Sequence, residues 1–282
     1  MAARMRSKPF GGTNAAVPVI GQGTWKMGGK RGARAAEIEA LRLGLELGMT
    51  HLDTAELYDG AEAVIAEVLR ERRRGEIFLT SKVMPQNASR RGTVAACEAS
   101  LRRLGTDHLD LYLLHWPGRH PIGETMQGLE DLVAAGKTRF IGVSNFDVDE
   151  LRQALAALPG QRLACNQVLY NLAQRGIERD LIPFCARERI AVVGYTPFGN
   201  WPRGAGLAAL QAIGARQGKT ARQVALAFLT RQPELFAIPK ASDAEHVREN
   251  AGAADVELTA TDLAAIDAAF PPPRGKVALA TQ

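Results

Sequence analysis

The sequence predicts an α/β fold in which strands and helices alternate and close into a (β/α)8 TIM barrel. Three observations carry this expectation. Short apolar runs alternate with stretches of helical period along the chain. Those runs are apolar throughout, as in parallel strands covered on their outer face. The length of 282 residues also lies near the roughly 250 of one such barrel. No long linker interrupts the alternation, so a single domain is expected over residues 1–282. A dinucleotide-binding open sheet fits less well, because no GxGxxG follows an early strand and opens a helix. The nearest stretch, GQGTWKMGG at 21–29, runs into a polar loop.

Taken in order, residues 8–19 carry Gly11, Gly12 and Asn14 between apolar flanks, a pattern for a hairpin closing the barrel floor. The first barrel strand is expected at 17–21, followed by a helix over 35–48 with Ile38, Leu41 and Leu45 on one face. The next strands are HLDTA (51–55), IFLTSKV (77–83) and LDLYLLH (109–115). Between the last two, Val94, Cys97, Leu101 and Leu104 mark a helical stripe. RFIGVS (139–144) precedes a helix striped by Val148, Leu151, Leu155 and Leu158, with Asp147 and Glu150 spaced as a capping box. LACNQ (163–167), IAVVGY (190–195) and LFAIP (235–239) complete eight strands.

Composition narrows the function classes. With 46% hydrophobic and 23% charged residues, the chain can bury a sizeable core. No apolar stretch approaches the roughly 18 residues of a membrane span, and the basic opening MAARMRSKPF lacks the apolar run of a secretory signal. Cys97, Cys165 and Cys185 are odd in number and far apart, which disfavours a disulfide framework or structural zinc and fits a reducing, cytoplasmic setting. No ligand cluster calls for a metal. The net charge of +5 is scattered except at Arg72–Arg73–Arg74, which reads as a solvated helix end rather than a nucleic-acid patch.

In such a barrel chemistry gathers at the C-terminal ends of the strands and the loops beyond them. There the sequence places Asp53, Tyr58, Lys82, His115, Ser144, Asn145, Asn166, Gln167 and Tyr195, with Trp25, Trp116 and Trp201 in the loops. Each residue alone has a plain reading. Asp53 could cap a turn, Lys82 could be solvated, His115 could be structural, and a tryptophan could simply fill core. The combination is what points to a shared site.

Six ordered segments then identify a resemblance: HLDTAELY (51–58), LTSKV (79–83), LYLLHWP (111–117), GVSNF (142–146), NQVLYN (166–171) and IPKAS…EN (238–250). The chain resembles the aldo-keto reductases over nearly its whole length, and within them bacterial enzymes that reduce methylglyoxal and similar small carbonyls. The resemblance implies a catalytic tetrad of Asp53, Tyr58, Lys82 and His115 with Tyr58 as proton donor. Lys82 would lower the Tyr58 pKa, and Asp53 would position the lysine. It implies NADPH/NADP+ as cofactor, held by Gly23, Thr24, Trp25, Asp53, Ser144, Asn145, Gln167, Tyr195, Thr196, Lys240, Ser242, His246, Glu249 and Asn250. Ser242 would also cap the helix that follows Lys240. A small-molecule carbonyl would meet Trp25, Tyr58, His115 and Trp116, with Trp201 and Met27 adding apolar wall. No nucleic acid or membrane partner is implied, and the family is often monomeric.

The chain departs from the family at one place that matters. NADPH-preferring relatives carry an arginine six residues after the lysine, where this chain has His246, and Ala241 stands where serine is common. Arginine stays charged and grips phosphate with two donors, whereas histidine is only partly protonated near pH 7. NADH is therefore expected as a weaker alternative cofactor. A cofactor-sensing or partner-binding protein on the same barrel is the competing reading, which the unbroken tetrad disfavours.

Overall fold

The computed structural model describes residues 5–29 and 33–282, so the opening residues 1–4 of the basic N-terminus lie outside it. A two-stranded antiparallel hairpin comes first, β1 (Ser7–Pro9) with β2 (Ala16–Pro18). Eight parallel strands follow: β3 (Gln22–Gly23), β4 (His51–Asp53), β5 (Phe78–Val83), β6 (Leu109–Leu114), β7 (Thr138–Ser144), β8 (Leu163–Leu169), β9 (Ala191–Tyr195) and β10 (Leu235–Ala237). Each pairs with its neighbour in chain order. The Ile20–Ala237 bridge joins the first edge to the last and closes the barrel.

The helices are α1 (Arg34–Glu46), α2 (Ala61–Leu69), α3 (Arg90–Leu104), α4 (Ile122–Ala134), α5 (Val148–Ala156), α6 (Leu181–Glu188), α7 (Gly204–Ala215), α8 (Ala221–Leu229), α9 (Ala244–Ala251) and α10 (Ala260–Ala269). Two of them, α7 and α8, lie between β9 and β10, so the simple one-helix alternation gains an extra element there. The helices bury one face each: Leu41 and Leu45 in α1, Cys97, Leu101 and Leu104 in α3, Val148 and Leu151 in α5. Asp147 caps α5 as expected, accepting from the Glu150 N–H while Glu150 returns the bond. All three cysteines are free and buried.

The first strand is where the sequence reading needs correction. Residues 17–21 do not form one strand. Val17 belongs to the hairpin, Val19 and Ile20 carry the chain to the seam, and the barrel strand itself is Gln22–Gly23. The run is apolar because both the hairpin and the seam are buried, with Val17, Val19 and Ile20 all at 0% exposure. The Arg72–Arg74 run also differs from a solvated helix end. Arg74 folds inward, bonding the carbonyls of Ile77 and His108 and pairing with buried Asp110 at 2.7 Å.

The hairpin plugs the N-terminal end of the barrel. Gly11 turns with φ +57°, and Phe10 packs within 5.0 Å of the Phe78 ring and 5.1 Å of Phe236. The Lys8 ammonium donates to the carbonyls of Thr230, Gln232 and Leu235, tying the plug to the approach of β10. With that end filled, the open end carries the loops after the strands. The loops after β3 and β4 meet backbone to backbone, since a Cβ on Gly28 (φ +85°) would lie 2.4 Å from the Gly60 carbonyl carbon.

Candidate active site

Four elements deliver the polar cluster. Asp53 is the last residue of β4, Lys82 lies near the end of β5, and His115 follows β6 directly. Tyr58 sits in a tight turn between β4 and α2, its N–H bonded to the Ala55 carbonyl. Parallel pairing of β4 with β5 puts the two strand ends side by side. Lys82 Nζ donates to Asp53 Oδ1 at 2.6 Å and to the Thr54 carbonyl at 2.8 Å. Its third neighbour is the Tyr58 hydroxyl at 3.5 Å. The second carboxylate oxygen of Asp53 accepts from Gln167 Nε2 at 2.7 Å. Asp53 and Lys82 are buried at 1% and 0% exposure, so both charges are satisfied inside the protein.

The electrostatics follow from that arrangement. Burial disfavours charge on Lys82, but the Asp53 carboxylate and the Tyr58 hydroxyl outweigh it and leave the ammonium above its usual pKa. Burial raises the Tyr58 pKa above the ordinary phenol value, and the Lys82 charge offsets this only in part. The lysine does pull this pKa down as expected, but burial outweighs it, so the net shift is upward and the phenol is protonated at neutral pH. His115 lies edge-on to Tyr58, ring centroids 5.7 Å apart. Burial and the Lys82 charge hold its pKa at about 3, so its imidazole is neutral.

Asp53, Tyr58 and His115 face one cavity of about 280 Å³ at the open end of the barrel, lined also by Gly23, Thr24, Trp25, Trp116, Thr196 and Lys240, with Lys82 buried behind them. Ser144 and Asn145 follow from β7, and Asn145 takes φ +62°. That backbone lets its side chain bond the His115 carbonyl and Ser144 Oγ, while Tyr195 Oη donates to Asn145 Oδ1 at 2.8 Å. Ser144, Gln167 and Tyr195 thus reach the cavity from three successive strands. Thr24 Oγ1 bonds the Asp53 carbonyl at 2.9 Å, joining β3 to the cluster.

The segment after β10 extends the cleft outward. Lys240 Nζ donates to Ser242 Oγ at 2.8 Å. Ser242 does not cap α9, contrary to expectation. Asp243 does, its Oδ1 accepting from the His246 N–H at 2.9 Å. Two cap-competent residues stand side by side, and only Asp243 has the three-residue spacing to that N–H. Asn250 is 3% exposed and its Oδ1 has no partner, while Glu249 is half-buried beside it.

Two expected wall residues are elsewhere. Met27 is core at 1% exposure, and Trp201 packs against Phe198 and the Arg222 guanidinium instead of the cavity. Four unexpected ones line it, Leu57, Pro197, Ile238 and Gln282. Leu57 is 42% exposed beside Tyr58, and its place directly before the tyrosine in HLDTAELY was the available signal. The tail from 271 onward runs back to the mouth, where Thr196 Oγ1 donates to Gln282 Oε1 at 2.6 Å.

A barrel with a buried acid–lysine pair against a phenol at its open end defines a class, and the comparisons name it. The sequence model of the Aldo/keto reductase family matches residues 19–270. The methylglyoxal reductase YeaE of Escherichia coli (strain K12) is 45% identical over 269 residues, 93% of this chain and 94% of that protein. The glyoxal reductase of Bacillus subtilis (strain 168) is 34% identical, covering 89% of this chain and 88% of its own. An aldo/keto reductase of Klebsiella pneumoniae, solved in complex with NADP and acetate, superposes with a TM-score of 0.91 at 42% identity, covering 99% of this chain and 100% of that one. The chain belongs to the aldo/keto reductase family and is an enzyme of that oxidoreductase class. No helix among the described residues is long and apolar enough to cross a membrane.

Proposed function

We propose that this enzyme reduces aldehydes and ketones with NADPH, small aldehydes and 2-oxoaldehydes such as methylglyoxal among them, with Tyr58 as proton donor. The observation that carries the reading is the buried Lys82 ammonium, clamped by Asp53 at 2.6 Å and turned toward a protonated phenol at the cavity wall. The residues fit the cofactor. Ser144, Asn145 and Gln167 offer the mixed donors and acceptors a carboxamide needs, Tyr195 offers a ring face, and the unpartnered Asn250 Oδ1 can accept from an adenine amino group. When bound, the dinucleotide supplies the hydride that no side chain can.

The chain's own groups then act on the carbonyl oxygen. Neutral His115 presents an N–H and Tyr58 an O–H to it, and donors aimed at developing charge lower a barrier by about 2.7–4 kcal/mol each in measured cases. Tyr58 gives up its proton as the oxygen becomes basic, and the Lys82 ammonium stabilises the phenolate left behind. Asp53 keeps that ammonium fixed and charged, and its bond to Gln167 couples the proton-donating pair to the cofactor cleft. A single wide mouth with Trp25 and Leu57 partly exposed suits small or varied carbonyls. The Escherichia coli and Bacillus subtilis relatives are named for methylglyoxal and glyoxal, which supports that substrate class. A cytoplasmic monomer completes the proposal.

The test is NADPH oxidation against a panel of aldehydes, ketones and 2-oxoaldehydes, with Tyr58→Phe in parallel. Removing the donor should cost about 100- to 10,000-fold in kcat, while NADP+ binding is unchanged. A phenylalanine variant that turns over at the parent rate refutes the assignment of Tyr58.

A further inference from the structure

The first turn of α9 contains a histidine whose tautomer is fixed by its neighbour. Asp243 uses one carboxylate oxygen as the helix cap, and its other oxygen, Oδ2, lies 2.6 Å from His246 Nδ1. A carboxylate can only accept, so Nδ1 carries the proton. The bond from His246 N–H also holds Asp243 below the usual carboxylate pKa, so it is ionised. Among the described residues the side chain makes no other hydrogen bond, and it is about half exposed, leaving Nε2 without a protein partner. With Nδ1 protonated, a neutral ring presents only a lone pair at Nε2, which repels an anion. Nε2 becomes a donor only when the ring takes a second proton.

We propose that NADPH binding is coupled to uptake of one proton on His246, so that Asp243 and His246 make the choice between NADPH and NADH depend on pH. The inference rests on the proposed cofactor reading, which places the 2′-phosphate by Lys240, Ser242 and His246. NADH has no such phosphate and binds without the proton. An arginine at this position would be charged throughout and would show no linkage.

The surroundings leave Asp243 as the governing partner. α9 packs on α1, α8 and the turn Gly252–Asp255. The α1 charges are engaged elsewhere, Arg34 with Glu67, Arg42 with Glu39 and Glu71, Glu46 with Arg72, and Glu37 with the Gly28 N–H. On α8, Arg222 lies over Phe198 and Trp201, and Asp255 pairs with Lys219. Within α9 the remaining charges are Glu245, Arg248 and Glu249, and none forms an ion pair with His246 among the described residues.

Binding, not turnover, tests this. NADP+, NAD+ and 2′,5′-ADP are titrated by isothermal calorimetry in two buffers of different ionisation enthalpy at pH 7.5, and by tryptophan fluorescence from pH 6 to 8. The parent should take up close to one proton with NADP+ and 2′,5′-ADP and none with NAD+. Its NADP+ affinity should fall as pH rises over that range relative to His246→Arg, by up to about tenfold per pH unit, the slope of a one-proton linkage. The arginine variant serves as the reference because the phosphate's own titration is common to both. Asp243→Asn keeps the cap but replaces the acceptor with an amide donor, so the ring flips to the Nε2–H tautomer and the proton uptake disappears. Equal pH profiles for the parent and His246→Arg, or undiminished proton uptake in Asp243→Asn, overturn the proposal alone. Failure of every protein to bind any of the three nucleotides overturns the cofactor reading together with it.

Discussion

Replacing Asp53 by asparagine changes charge and almost nothing else. The two side chains have the same shape, and Gln167 can turn its amide to present an oxygen to the new Nδ2. What cannot be recovered is the charge 2.6 Å from Lys82 Nζ, at a site where the lysine is 0% exposed. Removing one partner of a buried pair costs about 3–5 kcal/mol, which corresponds to a melting point roughly 6–15 °C lower for a domain of this size. The sign of the pH dependence is fixed as well. In the parent, Lys82 is raised above its usual pKa, so its contribution is complete below the unfolded value and is lost only as pH climbs through the folded one. In the variant the buried lysine is depressed instead, so its cost is largest at neutral pH and fades as pH approaches the free-lysine range near about 10.4. The two proteins should therefore converge in urea midpoint between pH 7 and pH 10. A gap that stays constant with pH would show that Asp53 is not the charge that keeps Lys82 inside.

Two other perturbations probe the scaffold. His51 is fully buried between Phe10 and Phe78, and burial holds its pKa at about 4, below the unfolded 6.5. Its neutral form contributes stability that is complete above pH 6.5 and is lost as pH falls toward 4, about 3 kcal/mol in all. His51→Gln, which keeps a bond to Thr80, should lose correspondingly less between pH 7 and 4 in chemical denaturation, and an identical loss would refute the point. Gly28→Ala should cost about 2–4 kcal/mol and weaken substrate binding, because its Cβ has no room against Gly60 and φ is +85°. A melting point within a degree of the parent would contradict that.

The strands were legible because a barrel strand is covered on both sides, so a polar residue inside an apolar run stands out. Asp53 in HLDTA and Lys82 in LTSKV are such exceptions, and the structure brings them together. The first barrel strand was hidden for the opposite reason. It is two residues long, and Gln22 earns burial only through bonds to the carbonyls of Leu41 and Met49, which no local pattern announces. Trp201 looked like pocket wall because a loop tryptophan has the same signature whether it faces a ligand or, as here, Phe198 and Arg222. The return of Gln282 to the mouth depends on long-range anchors such as Lys276 to Asp180, and the tail has no periodicity to betray it. The sign of the Tyr58 shift likewise needed burial, which a motif does not contain.

The clamp from Lys8 to Thr230, Gln232 and Leu235 spans 222 to 227 positions of chain. Such distant pairing is slow to form, and it rules out finishing the cylinder piecemeal. While the protein is being synthesised, every strand before β10 can assemble into a curled sheet, but both its margins stay bare and Phe10 has nothing to cork. Such margins invite pairing with other chains. The danger period in this enzyme's making ends when its last strand emerges, and protection during synthesis matters most just before then.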